Sequence, residues 1–269
     1  MRALPRLGVK SVAAIACVVA VIAVPACAEE TAKPARQQYE CSVPQDVTRL
    51  AHPLPRTGKR LAAGETLKIV AIGSSSTAGA GASSDANTYP SRLAAELKSM
   101  FPRQFIVVVN RGVNGDEARG MLARFDKEVI AENPDLVLWQ VGTNSVLRDD
   151  PIAPAGRLIH EGLSRLKAAG TDVILIDPQF APKVLAKADA ATMVDLLAQA
   201  ADVERVDLFR RFAVMRHWRQ VSRIPFEVFV SEDELHMNDW SYGCIAKLLA
   251  GAIAEAATRS SQTATAAAR

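Results

Sequence analysis

The segment Asp233-Glu234-Leu235-His236 sets a carboxylate three residues before an imidazole. At that spacing the acid can orient the ring and stabilise its protonated form, which is what a hydroxyl nucleophile needs from its general base. Hydroxyls cluster far upstream, in Gly73-Ser74-Ser75-Ser76-Thr77, followed by the small residues Ala78-Gly79-Ala80-Gly81. Such a turn can present a nucleophile, hold a phosphate on its backbone N–H groups, or simply cap a helix. It lacks the lysine of a nucleotide-binding loop. Gly79-Ala80-Gly81 is followed by Ala82, Ser83 and Ser84, so the third glycine of a dinucleotide fingerprint is also missing, while a flavin-phosphate loop stays open. Two more polar turns are notable. Asn110-Arg111-Gly112-Val113-Asn114-Gly115-Asp116 contains a strong Asn-Gly turn signal, and Asn144 of Gly142-Thr143-Asn144 can donate into a site or cap the next helix. His52, His160 and His217 have no comparable acid support, and no His or Cys pair has metal-ligand spacing, so no metal is expected.

These turns need a frame to bring them together. From Leu67 onward, short apolar runs rich in Val and Ile alternate with longer amphipathic stretches. The runs Leu67 to Ile72, Phe105 to Val109, Leu136 to Val141, Val173 to Ile176 and Val203 to Leu208 predict five strands, apolar on both faces as in a parallel sheet covered by helices. Helical spacing fills Tyr89 to Met100, Glu117 to Ala131, Ala155 to Ala169, Val184 to Ala200 and Trp240 to Ala256. The alternation predicts a three-layer α/β/α domain over residues 61–257, with a central, mostly parallel five-stranded sheet. Ligands of such sheets bind beyond the carboxyl ends of the strands, and the serine-rich, Asn-Gly and Gly-Thr-Asn turns each follow a predicted strand.

Taken together, Gly-Ser-Ser-Ser-Thr after the first strand, Asn-x-Gly-x-x-Gly-Asp after the second, Gly-Thr-Asn after the third and Asp-x-x-His before the last helix resemble the SGNH, or GDSL, hydrolase family. The resemblance spans roughly Leu67 to Ala256 and implies a flavodoxin-like fold and ester hydrolysis without a cofactor. In that family the nucleophile stands two residues after the first motif's glycine, which selects Ser75 over Ser74 and Ser76. The resemblance further implies a Ser75, His236, Asp233 triad and an oxyanion hole built from the N–H groups of Ser75 and Gly115 and the side-chain amide of Asn144. The sequence departs from the family at Ser74, where Asp is usual, and at Ser145, where Asp often follows the asparagine; neither change removes a proton-transfer group. An acyltransferase would use the same acyl-enzyme. A flavodoxin-like cofactor binder would leave Asp233, His236 and Asn144 without roles, and a glycan-binding protein would have lost turnover.

The chain has 269 residues and a formal charge of +3. Residues 1–28 hold Arg2, Arg6 and Lys10 and no acid, so the remaining bases and acids balance and nucleic acid is not an expected partner. The same 28 residues combine that basic start with an apolar run from Val12 to Val24 and small residues at Ala26 and Ala28. This is the pattern of a secretory signal peptide, too short for a membrane-spanning helix and leaving no transmembrane span in the mature chain. Export to the periplasm or medium is expected, with a lipoprotein anchored through Cys27 as the alternative. The ester substrate would then be a small molecule, a glycan or a lipid outside the cytoplasm. Cys41 and Cys244 remain after processing and are expected to pair, the alternative being two buried thiols. Residues 29–60, polar and proline-bearing, are expected to form an extended arm, and residues 258–269 a disordered tail.

Overall fold

Both faces of the first strand, β1 (Leu67–Gly73), are apolar, and the alternation along it decides which layer each residue enters. Leu67, Ile69 and Ala71 point into one core, and Val70 and Ile72 into the other. The same division runs through β3 (Leu136–Gln140) and β4 (Asp172–Ile176). With β2 (Ile106–Gly112) and β5 (Asp207–Phe209) these strands form an all-parallel sheet in the order β2-β1-β3-β4-β5. The computed structural model describes residues 39–267. The leader expected over residues 1–28, with Cys27, and residues 29–38 of the arm lie outside the described residues.

Helices cover both faces, as the three-layer expectation requires. In chain order they are α1 (Gln45–Thr48), α2 (Pro55–Ala63), α3 (Ser75–Ala78), α4 (Tyr89–Met100), α5 (Ala118–Glu128), α6 (Thr143–Leu147), α7 (Ile152–Ala168), α8 (Pro182–Leu185), α9 (Ala190–Glu204), α10 (Arg211–Gln220), α11 (Phe226–Phe229) and α12 (Asp239–Ala267). On one face α12 packs on α4 and α2, burying Ile245, Leu249 and Ile253 with Leu93 and Leu97. On the other, α7 packs on α5 and α9, with Ile159, Leu163, Phe125 and Met193 buried. Helix α4 starts where Thr88 accepts from the Ser91 N–H and Pro90 occupies the first turn, a start signal written into the sequence. Among the described residues no helix is long and apolar enough to cross a membrane.

Several expectations change. The fifth strand is Asp207–Phe209, not Val203 to Leu208: α9 continues through Val203, which is 70% exposed, and ends where Arg205 turns left-handed at φ 54°. Local β-propensity at Val203 gave way to the helix that packs on α7. The helix expected over Val184 to Ala200 is two helices, α8 and α9, and that over Glu117 to Ala131 is α5 followed by a single 3₁₀ turn, Ile130–Glu132. Helix α12 runs on to Ala267, through most of the segment expected as a disordered tail.

The arm is not extended over its described part. It folds into α1 and α2 and buries Leu50 and Leu54 at 1% and 2% exposure. Three aspartates at the amino ends of the strands anchor it. Asp135 accepts from Arg56 and Arg60 at 3.0 and 2.9 Å, Asp172 from the Thr57 N–H and hydroxyl at 2.8 Å, and Asp207 from the His52 N–H at 2.9 Å.

Cys41 and Cys244 are joined by a disulfide across 203 residues of sequence, tying the first described residues to α12. A crosslink closing so long a loop restricts the unfolded chain by up to about 5 kcal/mol on the entropy model, with about 2–4 kcal/mol usually realised. The Cys41→Ser/Cys244→Ser double variant should therefore melt roughly 5–15 °C below the wild type without reductant, and addition of a reductant should bring the wild type down to meet it. Equal melting temperatures before reduction would show that the bridge contributes no stability.

Candidate active site

The strand order places the switch point between β1 and β3, whose helical connections leave on opposite faces of the sheet, and such a crevice is where open α/β sheets bind ligands. Ser75 begins α3 directly after β1, Gly115 lies in the loop after β2, and Asn144 lies in the first turn of α6 after β3. The sheet alone thus gathers three of the residues singled out in the sequence at one edge. Asp233 and His236 come from the loop between α11 and α12, pinned by a bridge between Val230 and Met237 and by the Ser231 N–H donating to the His236 carbonyl at 2.8 Å.

A continuous hydrogen-bonded line results. His236 Nε2 lies 2.7 Å from Ser75 Oγ, and His236 Nδ1 lies 2.5 Å from Asp233 Oδ2. Asp233 Oδ1 accepts from the backbone N–H groups of Leu235 and His236 at 3.0 and 2.9 Å. Glu234 adopts a left-handed φ of 59° between them, which folds the backbone N–H groups back onto the carboxylate that precedes them. Burial pushes the Asp233 carboxyl up, but the His236 ring and these two N–H groups outweigh it, so the group sits below its ordinary value and stays ionised beside the imidazole. The site is open, with 15% of the His236 side chain and 44% of the Asp233 side chain exposed.

Gly115 adopts φ 75°, a conformation that an L side chain rarely takes. Among the described residues the N–H groups of Ser75 and Gly115 have no hydrogen-bond partner. Asn144 Nδ2 gives one proton to the Asp116 carbonyl at 2.8 Å, and the other has no partner among the described residues. His52 and His160 lie apart from this site: the backbone of His52 bonds Asp207, and the His160 ring meets Glu204 between α7 and α9. His217 is on α10.

Sequence reasoning missed the residues that hold this line in place. Gln140, fully buried at the end of β3, receives the Ser74 N–H and hydroxyl, both at 2.9 Å, and the Thr77 hydroxyl at 3.3 Å on a single oxygen, bracketing Ser75 on either side. Ser74, the departure from the family motif, is therefore part of the support of the Ser75 turn. Gln179 beyond β4 donates to the Leu235 carbonyl at 3.2 Å and accepts from the Thr143 hydroxyl at 3.1 Å, joining the Asp233/His236 loop to the start of α6. Behind it Arg211, fully buried, donates to Gln179 at 3.0 Å and to the Asp177 carbonyl at 2.9 Å. The one available signal was that Gln140 and Gln179 interrupt or closely follow apolar strands, where a polar side chain must find buried partners.

Comparison with known proteins agrees with this frame. Residues 40–259 match the family described as non-GDSL lipase-like. Among curated proteins, an acetylxylan esterase of Geobacillus stearothermophilus is 40% identical over 52 residues, 19% of this chain and 24% of that protein. An arylesterase of Vibrio mimicus is 27% identical over 109 residues, 40% of this chain and 54% of that protein. The chain thus spans between a quarter and about half of the curated relatives it matches. Among solved structures, a two-domain esterase active on acetylated mannans superposes with a TM-score of 0.69 at 20% identity, covering 81% of this chain and 57% of that one. The lipase/acylhydrolase of Enterococcus faecalis superposes with a TM-score of 0.60 at 22% identity over 72% of this chain and 97% of that one. At such identities the superpositions establish the α/β fold, while the match over residues 40–259 establishes the lineage: the chain belongs to the non-GDSL lipase-like family.

Proposed function

We propose that the protein is a serine esterase with Ser75 as nucleophile, His236 as general base and then acid, and Asp233 as the group that orients and stabilises the imidazolium. The observation that carries this reading is the unbroken line from Ser75 Oγ through His236 to Asp233 Oδ2, at 2.7 and 2.5 Å. His236 Nε2 takes the hydroxyl proton as Oγ attacks the ester carbonyl. The resulting oxyanion is held by the N–H groups of Ser75 and Gly115 and the second amide proton of Asn144. His236 then passes the proton to the departing alcohol as the carbon–oxygen bond breaks, and water attacks the acyl-Ser75 by the same route in reverse.

The substrate is an acetyl or short acyl ester on a glycan or other large alcohol outside the cytoplasm. Two observations support this. The triad side chains are partly exposed to solvent, and proteins similar to this chain are named for acetylated xylan and acetylated mannans. The basic, apolar and small-residue pattern of residues 1–28 supports export. Assay of p-nitrophenyl esters from acetate to palmitate beside acetylated glycans tests the whole reading. Rates falling from acetate onward, with acetate released from a glycan, are expected; no hydrolysis of any ester would overturn it.

Removal of Asn144's amide tests the oxyanion hole separately. Asn144→Ala should lower kcat by about 10²-fold, in line with loss of one preorganised donor, with KM little changed. Equal kcat in variant and wild type would remove Asn144 from the mechanism.

A further inference from the structure

The candidate oxyanion donors lie on three segments, at the start of α3, in the loop after β2 and in the first turn of α6, and donors aimed at developing charge act only if their spacing is fixed beforehand. Asp116 contacts two of these segments directly and reaches the third, the Ser75 turn, through Arg124. Its carbonyl accepts from Asn144 Nδ2 at 2.8 Å, its own backbone follows Gly115, and its Oδ2 accepts from Arg124 Nε on α5 at 3.0 Å. Arg124 in turn sends Nη2 to the Gly73 carbonyl at 3.3 Å, two residues before Ser75, and is steadied by Glu128 at 2.8 Å. The Gly73 carbonyl also accepts the Val113 N–H at 3.0 Å, so the ends of β1 and β2 are tied twice.

Burial separates this link from its neighbour. Arg148 also grips the loop, donating to the Gly115 carbonyl at 2.9 Å and pairing with Glu117, but its side chain is 51% exposed. The Arg124 and Asp116 side chains are 14% and 11% exposed. An exposed guanidinium is solvated and free to shift, whereas the enclosed pair is held in one geometry. Gly120 gives a second, independent indication. A Cβ at this position of α5 would stand 2.0 Å from Asp116 Oδ1, so the carboxylate occupies space that any side chain there would deny it. Glycine inside a helix weakens it, and accommodation of Asp116 accounts for its presence.

We propose that Asp116 and Arg124 are positioning residues that hold the Gly115 and Asn144 donors in register with Ser75, and that their contribution is realised in the transition state and not in substrate binding. The proposal rests on Ser75 being the nucleophile. The test compares wild type with Arg124→Met, Arg124→Lys and Gly120→Ala on p-nitrophenyl acetate, with kcat counted per site that reacts with a fluorophosphonate. Arg124→Met should lose about 10- to 100-fold in kcat with KM within about twofold, as expected when reacting groups are displaced by a fraction of an ångström to an ångström. Arg124→Lys should recover part of the loss. Gly120→Ala, which removes no hydrogen-bonding side chain and favours the helix, should show a similar loss, and it decides the matter should Arg124→Met not fold. The ³¹P resonance of the phosphonylated serine, whose oxygen would lie against the donors, should shift in the same variants.

Gly120→Ala and Arg124→Lys with wild-type kcat per site and an unmoved ³¹P signal would overturn the proposal. A wild-type protein that neither hydrolyses the ester nor labels at Ser75 would instead overturn the esterase reading beneath it.

Discussion

Ser75→Ala should reduce ester hydrolysis by on the order of 10⁴- to 10⁶-fold, while leaving the protein folded with an unchanged melting temperature. The size follows from the chemistry. Without Oγ there is no acyl-enzyme, and what survives is whatever the donors at Gly115 and Asn144 contribute to attack by water. His236→Ala should cost about as much, because a Ser75 hydroxyl without its base at 2.7 Å keeps its proton at neutral pH. The informative variant is the double one. Since the two groups act on the same proton transfer, Ser75→Ala/His236→Ala should be scarcely slower than either single variant. Steady-state assays on an activated ester measure all three. Losses that multiply would show that the two residues act separately, and a Ser75→Ala enzyme with wild-type turnover would sink the assignment.

The second large effect concerns stability and lies beneath the site. Asp177 follows β4 and is buried; its Oδ1 accepts the Phe212 N–H at 2.8 Å, while Oδ2 is buried without a hydrogen-bond partner among the described residues. Burial pushes its carboxyl from 3.8 up to about 7, against the opposing pull of the Phe212 N–H and of Arg211 and Arg210 nearby. In the folded protein the group therefore holds its proton to about pH 7, whereas the unfolded chain releases it near pH 4. The folded state binds more protons across that window, so the Asp177 contribution to stability is greatest below pH 4 and is lost as pH rises towards and through 7. At about 1.4 kcal/mol per unit the ceiling is about 4 kcal/mol. Asp177→Asn keeps the acceptor for Phe212 and removes the titration. It should match wild type near pH 4 and exceed it at pH 8 by roughly 5–15 °C in melting temperature. A variant less stable than wild type at pH 8 would mean that the ionised carboxylate is needed beside Arg211.

Much of this was legible in the sequence, for a local reason. The first four strands and α4 declare themselves through periodicity and caps within a dozen residues, and Asp233 and His236 are three residues apart, so one turn of chain brings them together. The parallel order of the sheet then follows from strand-helix alternation, and the carboxyl-end placement of the three loops follows from the sheet. Val203 marks where local reasoning stopped working, because its β-propensity was outweighed by packing of α9 on α7.

What only the tertiary structure decided are pairings between residues far apart and of types that composition assigns to the surface. Ser75 and His236 are separated by 161 residues, and the line between them exists because the start of α3 and the loop before α12, far apart in the sequence, converge at the carboxyl end of β1. Leu50 and Leu54 look like parts of a polar arm until three aspartates at the strand starts fix that arm over the core. Gln140 and Gln179 carry only the signal of a polar residue within or just after an apolar strand, and Arg211 carries none; none of these patterns names the partners, which are assembled by the fold. The sequence alone therefore determined which residues could perform ester chemistry and on what kind of sheet. The folded structure decided which buried side chains hold them at working distance, because that depends on desolvated contacts between distant segments that no local pattern records.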